Sequence, residues 1–354
     1  MNSDNYKIRE LLKICAEQNG LEFLGISNVE NFEDYKRYDI WLKQNLHANL
    51  KFMEQNSHLR KDVNSILLGC KSIIVVGLNY KRPYNLQETK NTKIAQYALY
   101  ADYHKQLKSL ANRMLEDFKS ALNTELTFSD EDFRIVTDTA PLLERSFAAK
   151  TVQGFIGKNT CYIHPQKGSY FLLAEVLTTL NLEPDYRIEV DPSKRSQKNG
   201  GCGSCRRCQV HCPTGALHND YTLDANLCLS YWTIEHRGLV PEIFWPHFAK
   251  FLFGCDICQE VCPYNRGTEV SKLEIKYDVL NNHSLAEIAL MSQTEYEQWF
   301  GGSPMTRAKR QGLRRNALIA MWALKDSQLE ETLKSTLQDE DKIIAKTSLQ
   351  ILNK

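Results

Sequence analysis

Four cysteines fall within eleven residues of the stretch GCGSCRRCQVHCPTG (201–215): Cys202, Cys205, Cys208 and Cys212, with Pro213 after the last. The spacing C-x2-C-x2-C-x3-C-P lets three thiolates wrap one iron–sulfur cubane while the fourth, set before proline, reaches a second cluster. A second set is therefore expected. Cys255, Cys258 and Cys262, followed by Pro263, repeat the last three positions of the run, and Cys228 is the nearby spare that replaces the missing first member. The count then closes on two [4Fe–4S] clusters, one on Cys202, Cys205, Cys208 and the distant Cys262, the other on Cys228, Cys255, Cys258 and the distant Cys212. Zinc and disulfides are the plainer readings of clustered cysteine. Structural zinc sites join two separated pairs, and neither alternative accounts for two Cys-Pro endings. Two clusters held by shared loops make an electron wire whose terminus they do not name.

The elements around this segment must hold whatever the wire feeds. At 354 residues the chain is too long for one core or for a bare electron carrier. Hydrophobic residues at 42% suffice for folded cores, and a formal net charge of +1 leaves nucleic-acid binding to a local patch. The start, MNSDNYKIRE, has no signal-peptide core, and no run reaches the length of a membrane span. A cytoplasmic protein without membrane attachment is expected, and in reducing cytosol clustered thiols serve metal or redox chemistry. Cys15, Cys70 and Cys161 stand apart and read as small buried hydrophobes.

Periodicity predicts a helix over 5–19, buried strands at 21–27 and 71–80, a long helix over about 92–122 and a strand at 133–141 closed by Pro141. SYFLLAEVLTTL (169–180) is compatible with strand or helix, and the polar DPSKRSQKNGG (191–201) reads as a linker. From Ser303 a Ser–Pro start opens a helix with Leu313, Ala317, Ala320, Met321 and Leu324 on one face, and a further helix at 341–352 is built on Ile344, Leu349 and Leu352. Paired helices of this kind are similar to HEAT repeats. The expected fold class is α+β or α/β and multi-domain: an α/β domain over 1–190, a bacterial-ferredoxin-like domain over 191–275, and a HEAT-like helical domain over 276–354.

The first region offers no G-x-G-x-x-G after a strand, and GFIGKNT (154–160) lacks phosphate-loop spacing, so it reads as a glycine-bearing turn. On spacing alone, Asp138 caps the turn before Pro141, and Asp102 and His104 are a solvated helix surface. Arg307, Lys309, Arg310, Arg314 and Arg315 lie between Ser303 and Leu324 with no acidic residue among them. Such a run is either a solvated helix face or a phosphate-binding patch.

Taken together, the double cluster, YALYADYH (97–104), TDTAPLLERSFA (137–148), GFIGKNT, CLSYWTIEHRG (228–238) and RRNALIAM (314–321) resemble the epoxyqueuosine reductases over essentially the whole chain. The resemblance implies a cobalamin-dependent enzyme, related in its core to reductive dehalogenases, that converts the epoxide of epoxyqueuosine at the tRNA wobble position to the cyclopentene of queuosine. It implies Co(I) cobalamin fed by the two clusters, an external low-potential electron donor and a monomer. By position it makes Asp138 the proton donor, a role for which a raised pKa is expected, and places Asp102 and His104 near the active site. It further implies cobalamin contacts from Arg60, Asp138, Lys158, Ser230, Asp256 and Ile257. His236, with the run Arg307, Lys309, Arg310, Arg314 and Arg315, becomes the tRNA surface, and the modified base enters the pocket flipped. Tyr100 departs from the pattern, where glycine is expected. A small-molecule corrinoid reductase of the dehalogenase kind gives the basic helix no purpose, and an electron-transfer protein would retain iron and sulfide without a corrinoid.

Overall fold

Four stretches rich in β-branched, aliphatic and aromatic residues make the centre of the first region. The computed structural model describes residues 3–82, 92–122, 129–185 and 201–354, with side chains from residue 6 onward. The linker expected over 191–201 lies outside them except at Gly201. Strands β1 (Glu22–Ser27), β2 (Ser72–Asn79), β4 (Phe133–Val136) and β7 (Phe171–Thr178) form one sheet in the order β1-β2-β7-β4, with every neighbouring pair antiparallel. The ambiguous 169–180 segment is thus a strand. An all-antiparallel sheet often has one face in water, but this one is covered on both. Helices Ser3–Gln18 and Tyr103–Ala121 pack Leu12, Leu107, Met114 and Phe118 over Ile74, Val76, Ala174 and Val176. Phe147 and Ala148 of the helix Glu144–Lys150 cover Ile73, Val75 and Leu177 on the other face. Both faces being apolar explains the unbroken Ile73–Val76 run.

The helix expected from 92 begins only at Tyr103. Lys93–Ile94 is instead strand β3, parallel to β8 (Phe251–Phe253), and Gln96–Leu99 is a 3-10 turn. Asp102 is the reason for the later start. It is the N-cap, and its side chain accepts from the backbone N–H of His104. Between β4 and β7 lies the small hairpin of β5 (Phe155–Ile156) and β6 (Tyr162–Ile163).

The cysteine segment folds from short turns, and the chain then becomes helical. One core takes in Ile94, Ala98 and Leu99, then Leu229 to Phe253, then the helices from Val279 to Ile351, so the divide expected at 275/276 runs through a shared core. Helix Lys309–Leu324 is its axis. Gly312 to Met321 are buried all round, in place of the one-sided stripe expected. A 3-10 turn, Pro304–Ala308, precedes it, capped by Ser303. In the last helix, Lys342–Leu352, Ile344 and Ile351 are buried while Leu349 and Leu352 are exposed, correcting the stripe expected there.

Two expected surface cations are interior. Arg315 is 1% exposed, and its guanidinium donates to the carbonyls of His236 (2.8 Å), Gly238 (2.7 Å) and Trp232 (2.9 Å). Arg314, 4% exposed, donates to Ala289 O at 2.7 Å and pairs with Asp339. Arg315→Ala would strand three carbonyls beside a cavity. Each unsatisfied buried group costs about 1–3 kcal/mol, so the variant is expected to lose at least about 3 kcal/mol in chemical denaturation, against little change for Lys309→Ala.

Candidate active site and cluster ligands

Beyond the end of β4 the chain turns at Asp138, a non-glycine residue held at φ 48°. A left-handed conformation at such a residue marks a loop that its surroundings over-determine. Those surroundings are titratable. The Tyr103 hydroxyl donates to Asp138 Oδ2 at 2.7 Å, and His104 Nε2 lies 3.2 Å from the same oxygen. The other ring nitrogen of His104, Nδ1, is 2.7 Å from Asp102 Oδ1. Glu144, first residue of its helix, accepts the backbone N–H of Asp138. The helix cap at Asp102 thus also orients the imidazole.

Flanked by two carboxylates, His104 is raised above its ordinary value, first by the hydrogen bond to Asp138, against burial, with Asp102 adding to it. Crowding by protein would raise the Asp138 carboxyl. Hydrogen bonds from His104 and Tyr103, and the imidazolium charge, outweigh that and hold it below the usual carboxylate range. The raised pKa expected at Asp138 is tied to exclusion of water by cofactor and base; in the protein alone His104 and Tyr103 hold the carboxyl low. Burial, then the charge of Asp138, pushes Glu144 up to about 8.

The cysteines converge from four segments. One cavity is lined by Cys202, Cys205, Cys208 and Cys262, with Lys158 and Tyr264 beside them. Lys158 N–H points at Cys202 Sγ, 3.3 Å away. Backbone N–H groups of Tyr231 and Ser230 face Cys228, and that of Ile257 faces Cys255. Cys228, Cys212, Cys255 and Cys258 act electrostatically on one another. Burial pushes the Cys208 thiol up to about 11 and Cys262 to about 12. Backbone donors aimed at sulfur suit a charged cluster, and the four cysteines around one cavity fit iron–sulfur ligation. Cys161, expected to be a bystander, hydrogen-bonds with Cys258, which lowers its thiol. Arg145 donates to the carbonyl of Thr160, next to Cys161, at 3.0 Å, and its charge also lowers Asp138.

Known proteins share this fold and the cysteine-rich segment. Residues 201–265 match a 4Fe-4S double cluster binding domain, and residues 60–139 match the family described as epoxyqueuosine reductase QueG, DUF1730. An epoxyqueuosine reductase of Gloeobacter violaceus is 34% identical, covering 89% of this chain and 96% of that protein; one of Cyclobacterium marinum is 32% identical, covering 88% and 96%. The chain belongs to the epoxyqueuosine reductases. The structure of a selenomethionine-labelled epoxyqueuosine reductase superposes with a TM-score of 0.84 at 27% identity, covering 98% of this chain and 90% of that one. Another, solved with an epoxyqueuosine-modified stem loop of tyrosine tRNA, superposes at 0.81 with 26% identity over 98% and 90%.

This epoxyqueuosine reductase commits several expected contact residues elsewhere. Arg60 donates to Asn56 O at 3.1 Å and lies over the Tyr38 ring, and the Lys158 ammonium pairs with Asp220 at 3.0 Å. Both side chains thus have partners within the protein. Asp256 is buried, accepts from Gln96 N–H at 2.6 Å and is pushed up to about 7, chiefly by burial. Ser230 and Ile257 are half-buried on the first turns beside Cys228 and Cys258. Tyr97 stands between the two centres, with Asp256 and Asp138 both acting on its hydroxyl.

Of the basic run, Arg307 and Lys309 are exposed. The absence of acids in the run is made good from outside it, since Arg307 pairs with Glu235 at 2.8 Å and Arg314 with Asp339. Arg310 donates to Met291 O at 2.9 Å, and His236 Nε2 is held 2.9 Å from Leu239 O. Glu144 and Cys161 were not singled out by spacing. Glu144 lies within TDTAPLLERSFA, but nothing in sequence shows that it folds back on Asp138.

Asp138→Asn should lower the His104 titration toward the ordinary 6.5, because the largest raising contact is lost. Imidazole NMR through a pH series measures this. An unchanged His104 titration would contradict the pairing.

Proposed function

We propose that this chain reduces the epoxide of epoxyqueuosine at the tRNA wobble position to the alkene of queuosine, with Asp138 and His104 delivering the proton. The observation that carries the reading is the hydrogen-bonded group of Asp138, His104 and Asp102 in a chain that also holds a four-cysteine cavity and matches epoxyqueuosine reductases over nearly all its length. The substrate follows from those relatives and from the solved complex with an epoxyqueuosine-modified stem loop.

Two [4Fe–4S] clusters would supply single electrons at low potential, and a bound cobalamin a two-electron cobalt nucleophile. Cys202, Cys205, Cys208 and Cys262 would hold one cluster; Cys212, Cys228, Cys255 and Cys258 the other. Ser230 and Ile257, half-buried beside Cys228 and Cys258, would offer backbone for a corrin's amides.

The chain's own residues handle the proton. His104, fixed by Asp102 on one side, shares its proton with Asp138 on the other. Asp138 Oδ2 is the open end of that file and also takes the Tyr103 hydroxyl, which orients it. An epoxide oxygen brought within hydrogen-bond reach of Asp138 could be protonated as its carbon–oxygen bond breaks.

Arg307, whose charge reaches Asp138 and Tyr103, and Lys309 next to it would meet the phosphates flanking the inserted base. Helices 279–352, HEAT-like in pairing, would frame that surface. A cytoplasmic monomer served by an external electron donor completes the reading.

Nucleoside mass spectrometry of tRNA from deletion cells tests it. Epoxyqueuosine should accumulate, clear on complementation with wild type, and persist with Asp138→Asn, whose rate should fall by about 10² or more. Queuosine unchanged in the deletion, with no second reductase, would contradict the reading. Separately, Cys228→Ser should lower iron from about eight to about four atoms per chain. Full iron content in that variant would remove Cys228 from the ligand set.

A further inference from the structure

Behind Asp138 lie two more carboxyls, neither used above for chemistry. Glu175 sits in the middle of the sheet, paired across β7 with Val75 of β2 and Val136 of β4, wholly out of solvent. Neither of its carboxyl oxygens has a hydrogen-bond partner. Side chains alternate along a strand, and Ala174 and Val176 lie under the two large helices. Glu175 therefore faces the other way, with Leu173 and Leu177, toward the helix that Glu144 opens. The charges of Glu144 and Asp138 both reach it. Glu175 thus faces the helix opened by Glu144, whose carboxyl accepts the backbone N–H of Asp138, and Asp138 in turn is bonded to His104 and His104 to Asp102.

An unpaired carboxylate in such a place would cost several kcal/mol, so the group is kept neutral instead. Its other neighbours are apolar: Ile73, Val75, Val136, Leu142 and Phe147. Burial and the two carboxyls raise it well above the usual range. Glu144 faces Asp138, His104 and Arg145 and keeps its proton up to about pH 8.

The proposed reaction needs this capacity. Converting an epoxide to an alkene breaks two carbon–oxygen bonds, forms one carbon–carbon π bond, takes up two electrons and two protons, and releases water. The His104–Asp138 pair holds one proton. We propose that Glu144 and Glu175 are the store of the second, Glu144 reloading Asp138 after the first proton has gone and Glu175 reloading Glu144. The inference rests on the reading under Proposed function, whose electrons come from the clusters and whose oxygen leaves as water.

The test compares reconstituted wild type with Glu144→Gln, Glu144→Asp and Glu175→Gln on an epoxyqueuosine-modified stem loop, across about pH 6 to 9. Both glutamines keep size but carry no proton acidic enough to transfer. Each should lower kcat by about 10-fold or more with KM unchanged, and Glu144→Gln should also remove the fall in rate near pH 8 that marks loss of the Glu144 proton. Glu144→Asp should restore most of the rate. Infrared titration of the protein without substrate gives a second readout: wild type should show a protonated carboxyl band at neutral pH that Glu175→Gln lacks. Unchanged rates and pH profiles in both glutamine variants, or no such band, would overturn the proposal. Should Glu175→Gln fail to fold, Glu144→Gln and the wild-type infrared titration decide it. Wild type inactive on the stem loop would instead overturn the proposed function, leaving the infrared result to decide the state of the carboxyls.

Discussion

The cysteine-rich segment has little core of its own, and its position depends on one buried polar joint with the sheet. Asn265 Oδ1 accepts from Ser169 N–H at 2.7 Å, while its amide donates to Ser169 Oγ and to Gln259 O. Ser169 Oγ donates to Gln259 Oε1 at 2.9 Å, and Gln259 in turn donates to Tyr80 OH. Every member is satisfied and buried, the condition under which such a network fixes one arrangement. Gly168, at φ 81°, permits it, since a Cβ there would lie 2.1 Å from Asn265 Oδ1. Ser169 opens onto β7, whose Glu175 pairs with Val136 just before Asp138, and Gln259 and Asn265 lie between and after cysteine ligands. The same few hydrogen bonds therefore set the distance from thiols to acid group.

The second constraint is electrostatic. The imidazole between Asp102 and Asp138 helps hold Asp138 below the usual carboxylate range, while burial pushes Glu144 and Glu175 up. A gradient of proton affinity among these carboxyls follows from burial and hydrogen bonding. The arrangement suits a reaction that consumes protons as well as electrons, with the carboxyls gathered on the β4–β7 side and the thiols on separate short turns.

What could be read from sequence follows from how local each signal is. Cysteine spacing is fixed by the short loops that must wrap a cluster, so Cys202 to Cys212 and Cys255 to Cys262 announced themselves. The strands around Ile73–Val76 were legible because both faces are apolar. Arg314 and Arg315 were misread as surface because their partners, Asp339 and the carbonyls of Trp232, His236 and Gly238, arrive from distant segments. The helix start was misplaced for the opposite reason: Asp102 is a local cap, but YALY before it has helical composition and is drawn off by pairing of β3 with β8. Glu175 reads as a polar residue in an ambiguous apolar run, and only the sheet shows that nothing pairs with it.

The central claim is that this chain removes the epoxide oxygen of epoxyqueuosine with electrons passed through the two thiol sets. The most direct measurement is mass spectrometry of an epoxyqueuosine-modified stem loop after incubation with reconstituted protein and a low-potential reductant. The account predicts loss of one oxygen atom from the modified nucleoside, dependent on reductant and absent when Cys258 is replaced by serine. A nucleoside unchanged in mass, beside protein that holds its iron, sulfide and corrinoid, would contradict it.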